Sequence, residues 1–121
     1  MKPQSLVPML SVASLPRSLE FYGQLGFTVA HSFTPPGSPE PTWVCLESDG
    51  AHLMLTKAAE AVVAGQQAVM FYVYCADPEV FRSQLLAAGL QAGTMKYPFY
   101  NPRGEFPLVD PDGYELMITH T

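Results

Sequence analysis

The chain has 121 residues, a hydrophobic share of 48% and a net charge of −5, from 6 Lys+Arg against 11 Asp+Glu. That length buries a core without disulfide or metal staples, and the composition is that of a folded domain rather than a disordered tail. So few cations leave no basic stripe to neutralise phosphates, which argues against a nucleic-acid partner. No apolar run approaches the roughly 18 residues of a membrane span, and no signal peptide opens the chain, so a cytoplasmic protein off the membrane is expected. Cys45 and Cys75 lack CxxC spacing and sit in apolar runs, as buried free thiols do.

In chain order, Leu6–Val12 predicts a strand and Leu15–Leu25 a helix. Phe27–Phe33, Thr42–Glu47 and Ala51–Thr56 then read as three strands. Lys57–Gln67 is the expected linker. Beyond it, Val69–Cys75 predicts a strand and Pro78–Ala88 a helix, followed by strands near Gln91–Lys96, Glu105–Val109 and Tyr114–Thr119. Tyr97 to Tyr100 is an aromatic stretch broken by Pro98, and Asn101-Pro102-Arg103-Gly104 after it reads as a turn, with Arg103 and Glu105 expected to form a loop ion pair.

The two halves repeat. Ser14 and Asp77 are helix N-caps, Pro16 and Pro78 fall in the first turns, and Gly26 and Gly89 end the helices. Asp49-Gly50-Ala51-His52-Leu53-Met54-Leu55-Thr56 parallels Asp112-Gly113-Tyr114-Glu115-Leu116-Met117-Ile118-Thr119. One offset of 63 relates 14 to 77, 26 to 89, 50 to 113 and 54 to 117. A constant interval across caps and turns marks a duplicated unit. The fold class expected is α+β: a single domain, 1–121, of two tandem βαβββ units, 1–60 and 64–121. Alternation puts Leu10, Val12, Leu53, Leu55, Phe71, Val73, Leu116 and Ile118 beneath the helices. The opposite face carries Val7, Met9, Ser11, His52, Met54, Thr56, Met70, Tyr72, Tyr74, Glu115, Met117 and Thr119. Such a mixture suits a ligand pocket or a subunit interface.

The opening SLPRSLEFYGQLGF and the closing EFPLVDPDGYELMIT, set in a duplicated unit, resemble the vicinal-oxygen-chelate superfamily of glyoxalases, bleomycin-resistance proteins and dioxygenases. The resemblance covers nearly the whole chain. It implies an open eight-stranded cup with helices outside, paired in a homodimer. Metal-dependent relatives place His or Glu at positions that map here onto Val7, Met54, Met70 and Met117. None is a nitrogen or oxygen donor, and thioethers suit only soft ions such as Cu(I). Methionine as adaptable pocket lining is the preferred reading, with no metal and no cofactor expected. Asp110-Pro111-Asp112-Gly113 reads as a β-turn rather than a calcium loop, and no nucleophilic triad or phosphate-cradling glycine loop occurs.

The metal-free relatives this chain resembles sequester a drug in a groove. Such a role here would use aromatic faces and negative charge against a planar cation, from Trp43, Tyr72, Tyr74, Tyr97, Phe99 and Tyr100, with Glu115 as the nearest carboxylate. The expected ligand pocket is these residues with Val7, Met9, His52, Met54, Met70 and Met117, and no catalytic residue is assigned. The alternative is a lyase, isomerase or dioxygenase-like enzyme of the same superfamily, using His52 or Glu115 as base or unorthodox metal ligands.

Overall fold

The computed structural model describes residues 1–121, which form two helices and seven strands in two compact units, Met1–Val62 and Val63–Thr121. In the first unit, β1 (Met9–Val12), α1 (Leu15–Gln24), β2 (Thr28–Phe33), β3 (Trp43–Ser48) and β4 (Ala51–Lys57) follow in sequence. Their sheet has the order β1-β4-β3-β2, with β1 parallel to β4 and the other pairs antiparallel. β1 is shorter than expected. Pro8 lacks the N–H that a ladder needs, so only its carbonyl takes part, accepting from Met54 N at 2.9 Å. Val7 therefore precedes the strand.

Alternation along the strands makes the core. Leu10, Val12, Val44, Leu46, Leu53 and Leu55 are all buried on one face, and the register sets Val44 and Leu10 beside Leu55. Leu15, Ser18, Phe21 and Tyr22 are the buried face of α1, and Leu19 beside them is half-buried. Each fully buried leucine stabilises by roughly 1.5–3 kcal/mol relative to exposure.

Both helices begin and end on the same devices. Ser14 Oγ accepts from Arg17 N at 3.3 Å, and Asp77 Oδ1 accepts from Val80 N at 3.1 Å. At the far end of α1, Phe27 N donates to Tyr22 O and Gly26 N to Gly23 O, with Gly26 at φ +101°. α2 (Pro78–Ala87) closes alike, through Leu90 N to Leu85 O and Gly89 N to Leu86 O. These paired bonds satisfy carbonyls that the last helical turn leaves free. Phe27 also meets Tyr22 ring to ring at 6.1 Å, the apolar contact that accompanies this closure.

The second unit carries β5 (Met70–Cys75), α2, β6 (Phe106–Val109) and β7 (Glu115–His120), preceded by a short 3-10 turn at Ala64–Gln66. The sheet order is β5-β7-β6, with β5 parallel and β6 antiparallel to β7. Leu85, Phe106, Leu108, Leu116 and Ile118 are its buried core. The strand expected at Gln91–Lys96 does not form. It is reduced to one antiparallel bridge, Lys96 with Glu105, which exchanges both backbone hydrogen bonds. The reason is Pro107: one pair further on, the ladder needs an N–H that proline lacks. The chain slips instead, and Gly93 N takes the Pro107 carbonyl at 2.9 Å. A Cβ on Gly93 would stand 2.5 Å from Pro107 Cγ, so this approach requires glycine.

The hairpins of the two units also differ. Ser48 pairs with Ala51 across Asp49-Gly50, whereas Val109 pairs with Glu115 across the longer Asp110–Tyr114 loop. That loop turns on Gly113 N to Asp110 O at 3.1 Å, and Asp110 Oδ1 accepts from Asp112 N and Tyr114 N, each at 2.9 Å. Replacing Ser14 with Ala removes the cap of α1 and is expected to cost about 1 kcal/mol. The measurement is the urea midpoint, which falls while the slope stays unchanged.

Candidate ligand site

The inner face of the second sheet is apolar and covered; its other face is built for contact. Register lays Tyr72 beside Met117 and Met117 beside Pro107, so these three form one cross-strand row. Met70, Glu115 and Val109 form the row on one side of it. On the other side stand Tyr74 with Thr119 and, across the isolated bridge, Glu105 with Lys96. Here alternation and burial part company. Thr119 belongs to the open face yet is fully buried, because the chain returning through Gly104 covers it and accepts its hydroxyl hydrogen bond at 3.0 Å.

A groove of ≈ 440 Å³ opens on this face, lined by Lys96, Tyr97, Pro98, Tyr100, Glu105, Pro107 and Met117. Its wall is the 97–104 segment, folded over through Asn101 N to Pro98 O at 3.0 Å and Gly104 N to Asn101 O at 2.9 Å. Two anchors fix that wall. The Tyr97 hydroxyl donates to Glu79 in the first turn of α2, and Arg103 donates to the carbonyls of Ala76, at 3.0 Å, and Thr121. The ion pair expected between Arg103 and Glu105 is absent, since Gly104 at φ +106° turns the chain between them. Arg103 goes to those carbonyls, and the Glu105 carboxylate accepts from Asn101 Nδ2 at 2.8 Å.

Of the residues expected in a pocket, Tyr97, Tyr100 and Met117 line this groove. Tyr72 and Tyr74 stand beside it on the same face, their rings 6.3 Å apart. Phe99 does not line it; it is 93% exposed and stacks edge-on against Tyr100 at 5.2 Å. Met70 and Glu115 are exposed one row away. Glu105, Lys96, Pro98 and Pro107 were not anticipated. The alternation of β6 around buried Phe106 would have pointed Glu105 to this face, but its pairing with Arg103 looked sufficient.

In the first unit, Met9 and Met54 are paired neighbours, with Cys45 and His31 continuing the same row. Trp43 is half-buried opposite Thr56. His52 lies opposite Glu47, its Nε2 3.9 Å from Glu47 Oε2, and both are about half exposed. The resemblance assigns the metal-ligand positions to Val7, Met54, Met70 and Met117, and no three His, Cys, Asp or Glu side chains converge. A hard or borderline divalent ion does not fit that donor set.

Two hydroxyls are perturbed. Tyr97 is held above its ordinary value of 10.0 first by its hydrogen bond to Glu79, then by desolvation. Tyr72 is raised first by desolvation and then by the negative field of Glu105, with Tyr100 and Tyr74 adding to it. Glu105 and three tyrosines thus share one electrostatic neighbourhood.

The frame matches a known class. Residues 6–118 match the model of the Glyoxalase/Bleomycin resistance protein/Dioxygenase superfamily, and the chain belongs to that superfamily. No curated protein matches the sequence. Among solved structures, a bleomycin-binding protein complexed with bleomycin is 19% identical with a TM-score of 0.76, covering 98% of this chain and 99% of that one. An antibiotic-binding protein from Streptomyces sp. CB03234 is 15% identical with a TM-score of 0.76, covering 99% and 98%. A lactoylglutathione lyase from Agrobacterium tumefaciens is 15% identical with a TM-score of 0.69, covering 99% and 96%. At these identities the likeness is one of fold, and it spans binders and an enzyme alike.

A Cβ on Gly104 would stand 2.3 Å from Met95 Cε and 3.0 Å from Tyr97 Cε1, on a backbone that side chains rarely adopt. Gly104→Ala is expected to cost roughly 1–3 kcal/mol. Its thermal melt should fall, and the Tyr97 wall should lose its hydrogen-exchange protection. For Tyr97 the folded pKa is raised, so its contribution to stability is present below the ordinary tyrosine value and lost as pH rises through the folded one. Following phenolate absorbance with pH, Tyr97→Phe should remove one late-titrating hydroxyl.

Proposed function

We propose that this chain is a metal-free small-molecule binding protein that sequesters an antibiotic or a related aromatic, cationic ligand. The observation that carries the reading is the ≈ 440 Å³ groove on the second sheet, with Tyr97, Tyr100 and Met117 in its wall and floor. That volume suits a compact ligand or one section of a larger one. Tyrosine offers broad faces with little rotamer freedom to lose, and methionine adapts to irregular shapes. Bleomycin and other antibiotics bound by proteins of this fold are the natural first ligands to test.

The binding form we propose is a cytoplasmic homodimer. Met70, Tyr72, Tyr74 and Phe99 are exposed apolar side chains of the second unit, a density that suits a partner surface beside the groove. Sedimentation of the purified chain checks the dimer.

Thermal melts in the presence of bleomycin and of smaller aromatic cations test the binding role. A ligand at 100 times its Kd adds about 2.7 kcal/mol to stability. A rise in Tm that Tyr100→Ala and Met117→Ala both abolish supports the reading; no rise with any compound sinks it. Metal analysis after purification without chelator tests the other half. One tightly held equivalent of Zn, Ni, Mn or Fe per chain would overturn metal-free binding in favour of an enzyme.

A further inference from the structure

Glu105 is the one carboxylate in the lining of the groove, and it is 6% exposed. Burying a carboxylate costs several kcal/mol unless hydrogen bonds or an opposite charge compensate it. Glu105 has partial compensation only. Asn101 Nδ2 holds Oε2 at 2.8 Å, and Glu105 forms no ion pair with a Lys or Arg. No buried side-chain oxygen lacks a partner, so Oε1, which accepts no hydrogen bond, is the oxygen open to the groove.

Around that oxygen stand aromatic faces. Tyr97 and Tyr100 line the same space, and the Tyr72 hydroxyl feels the Glu105 charge. Lys96, directly opposite Glu105 in the bridge, leaves the same face and also lines the groove, but its side chain is exposed and unpaired with the carboxylate. The arrangement is therefore a mostly buried carboxylate held by Asn101, aromatic walls beside it and an exposed lysine at the rim.

We propose that Glu105, positioned by Asn101, determines specificity in this groove by accepting a hydrogen bond from the protonated amine of an aromatic ligand, whose flat body lies along Tyr97 and Tyr100. The inference rests on the binding role proposed above and adds the group that reads charge. Lys96, exposed at the rim, opposes a cationic ligand and favours an anionic one through its own charge. A charge-assisted bond in such surroundings is about twice as strong as a neutral one, so selectivity for cation over neutral isostere follows.

Three indoles of matched shape test this by NMR titration: tryptamine, a cation; tryptophol, neutral; and indole-3-propionate, an anion. Wild-type protein should rank them in that order. Glu105→Gln keeps an acceptor for Asn101 and should weaken tryptamine roughly tenfold, one unit of log Kd, while leaving tryptophol within about twofold. Lys96→Met should strengthen tryptamine and weaken indole-3-propionate. If Glu105→Gln alters both tryptamine and tryptophol equally, the carboxylate only fastens the loop and the inference is overturned. Should Glu105→Gln fail to fold, Asn101→Ala decides: a reduced preference for tryptamine over tryptophol with wild-type melting supports the inference, and an unchanged preference overturns it. Tryptophol binding as tightly as tryptamine sinks the inference yet leaves the binding role intact. Absence of binding by every indole and by bleomycin removes both.

Discussion

The second unit depends on where one ladder of hydrogen bonds stops. Glu105 and Lys96 exchange a full pair of backbone bonds, and the next pair cannot form because Pro107 has no N–H. On the loop side of that bridge, residues 97–104 fold through the turns at Asn101 and Gly104 and lie over the sheet's open face. The burial of Thr119, the wall of tyrosines and the seclusion of Glu105 go with that fold-back. On the far side of the bridge the ladder stops at Pro107, and residues 91–95 keep only the Gly93 N to Pro107 O contact. Proline is tolerated there because β6 is an edge strand.

The duplicated frame shows what such local chemistry can change. α1 and α2 correspond residue for residue at the interval of 63, and so do the parallel pairs, since Met9 with Met54 becomes Tyr72 with Met117. β3 and β6 do not keep it. Val44 faces Leu55, but Phe106, not Pro107, faces Ile118, an interval of 62. The longer hairpin at Asp110–Tyr114 takes up the extra residue. Because side chains alternate, a one-residue slip exchanges the faces of a strand. Phe106 and Leu108 go inward, and Glu105 and Pro107 come to the open face.

That slip explains what was legible from sequence. Helix bounds, caps and the β4 and β7 faces were readable, because caps and alternation are local codes and Ser14, Asp77, Gly26 and Gly89 state them outright. Tyr97, Tyr100 and Met117, expected on one surface, line one groove. The missing eighth strand was not readable, for the effect of Pro107 lies in a partner segment eleven or more residues earlier in the chain. Glu105 was misread for a related cause. Its neighbour Arg103 seemed a sufficient partner, and only the turn at Gly104 sends the guanidinium to the carbonyls of Ala76 and Thr121 instead.

The methionines and the buried carboxylate belong to one argument. A superfamily site with nitrogen and oxygen donors can polarise a bound oxygen through a metal ion. The resemblance puts Val7, Met54, Met70 and Met117 at those positions, and valine and thioether side chains are apolar, polarisable and adaptable in shape, with no charge of their own. Under the binding role proposed above, such side chains contact flat molecules with little discrimination. Discrimination then has to come from a polar group whose desolvation makes an ill-matched ligand costly, which is the asymmetry between satisfied and unsatisfied buried groups. Under the specificity role proposed above, that residue in the second unit is Glu105, which the 97–104 segment covers.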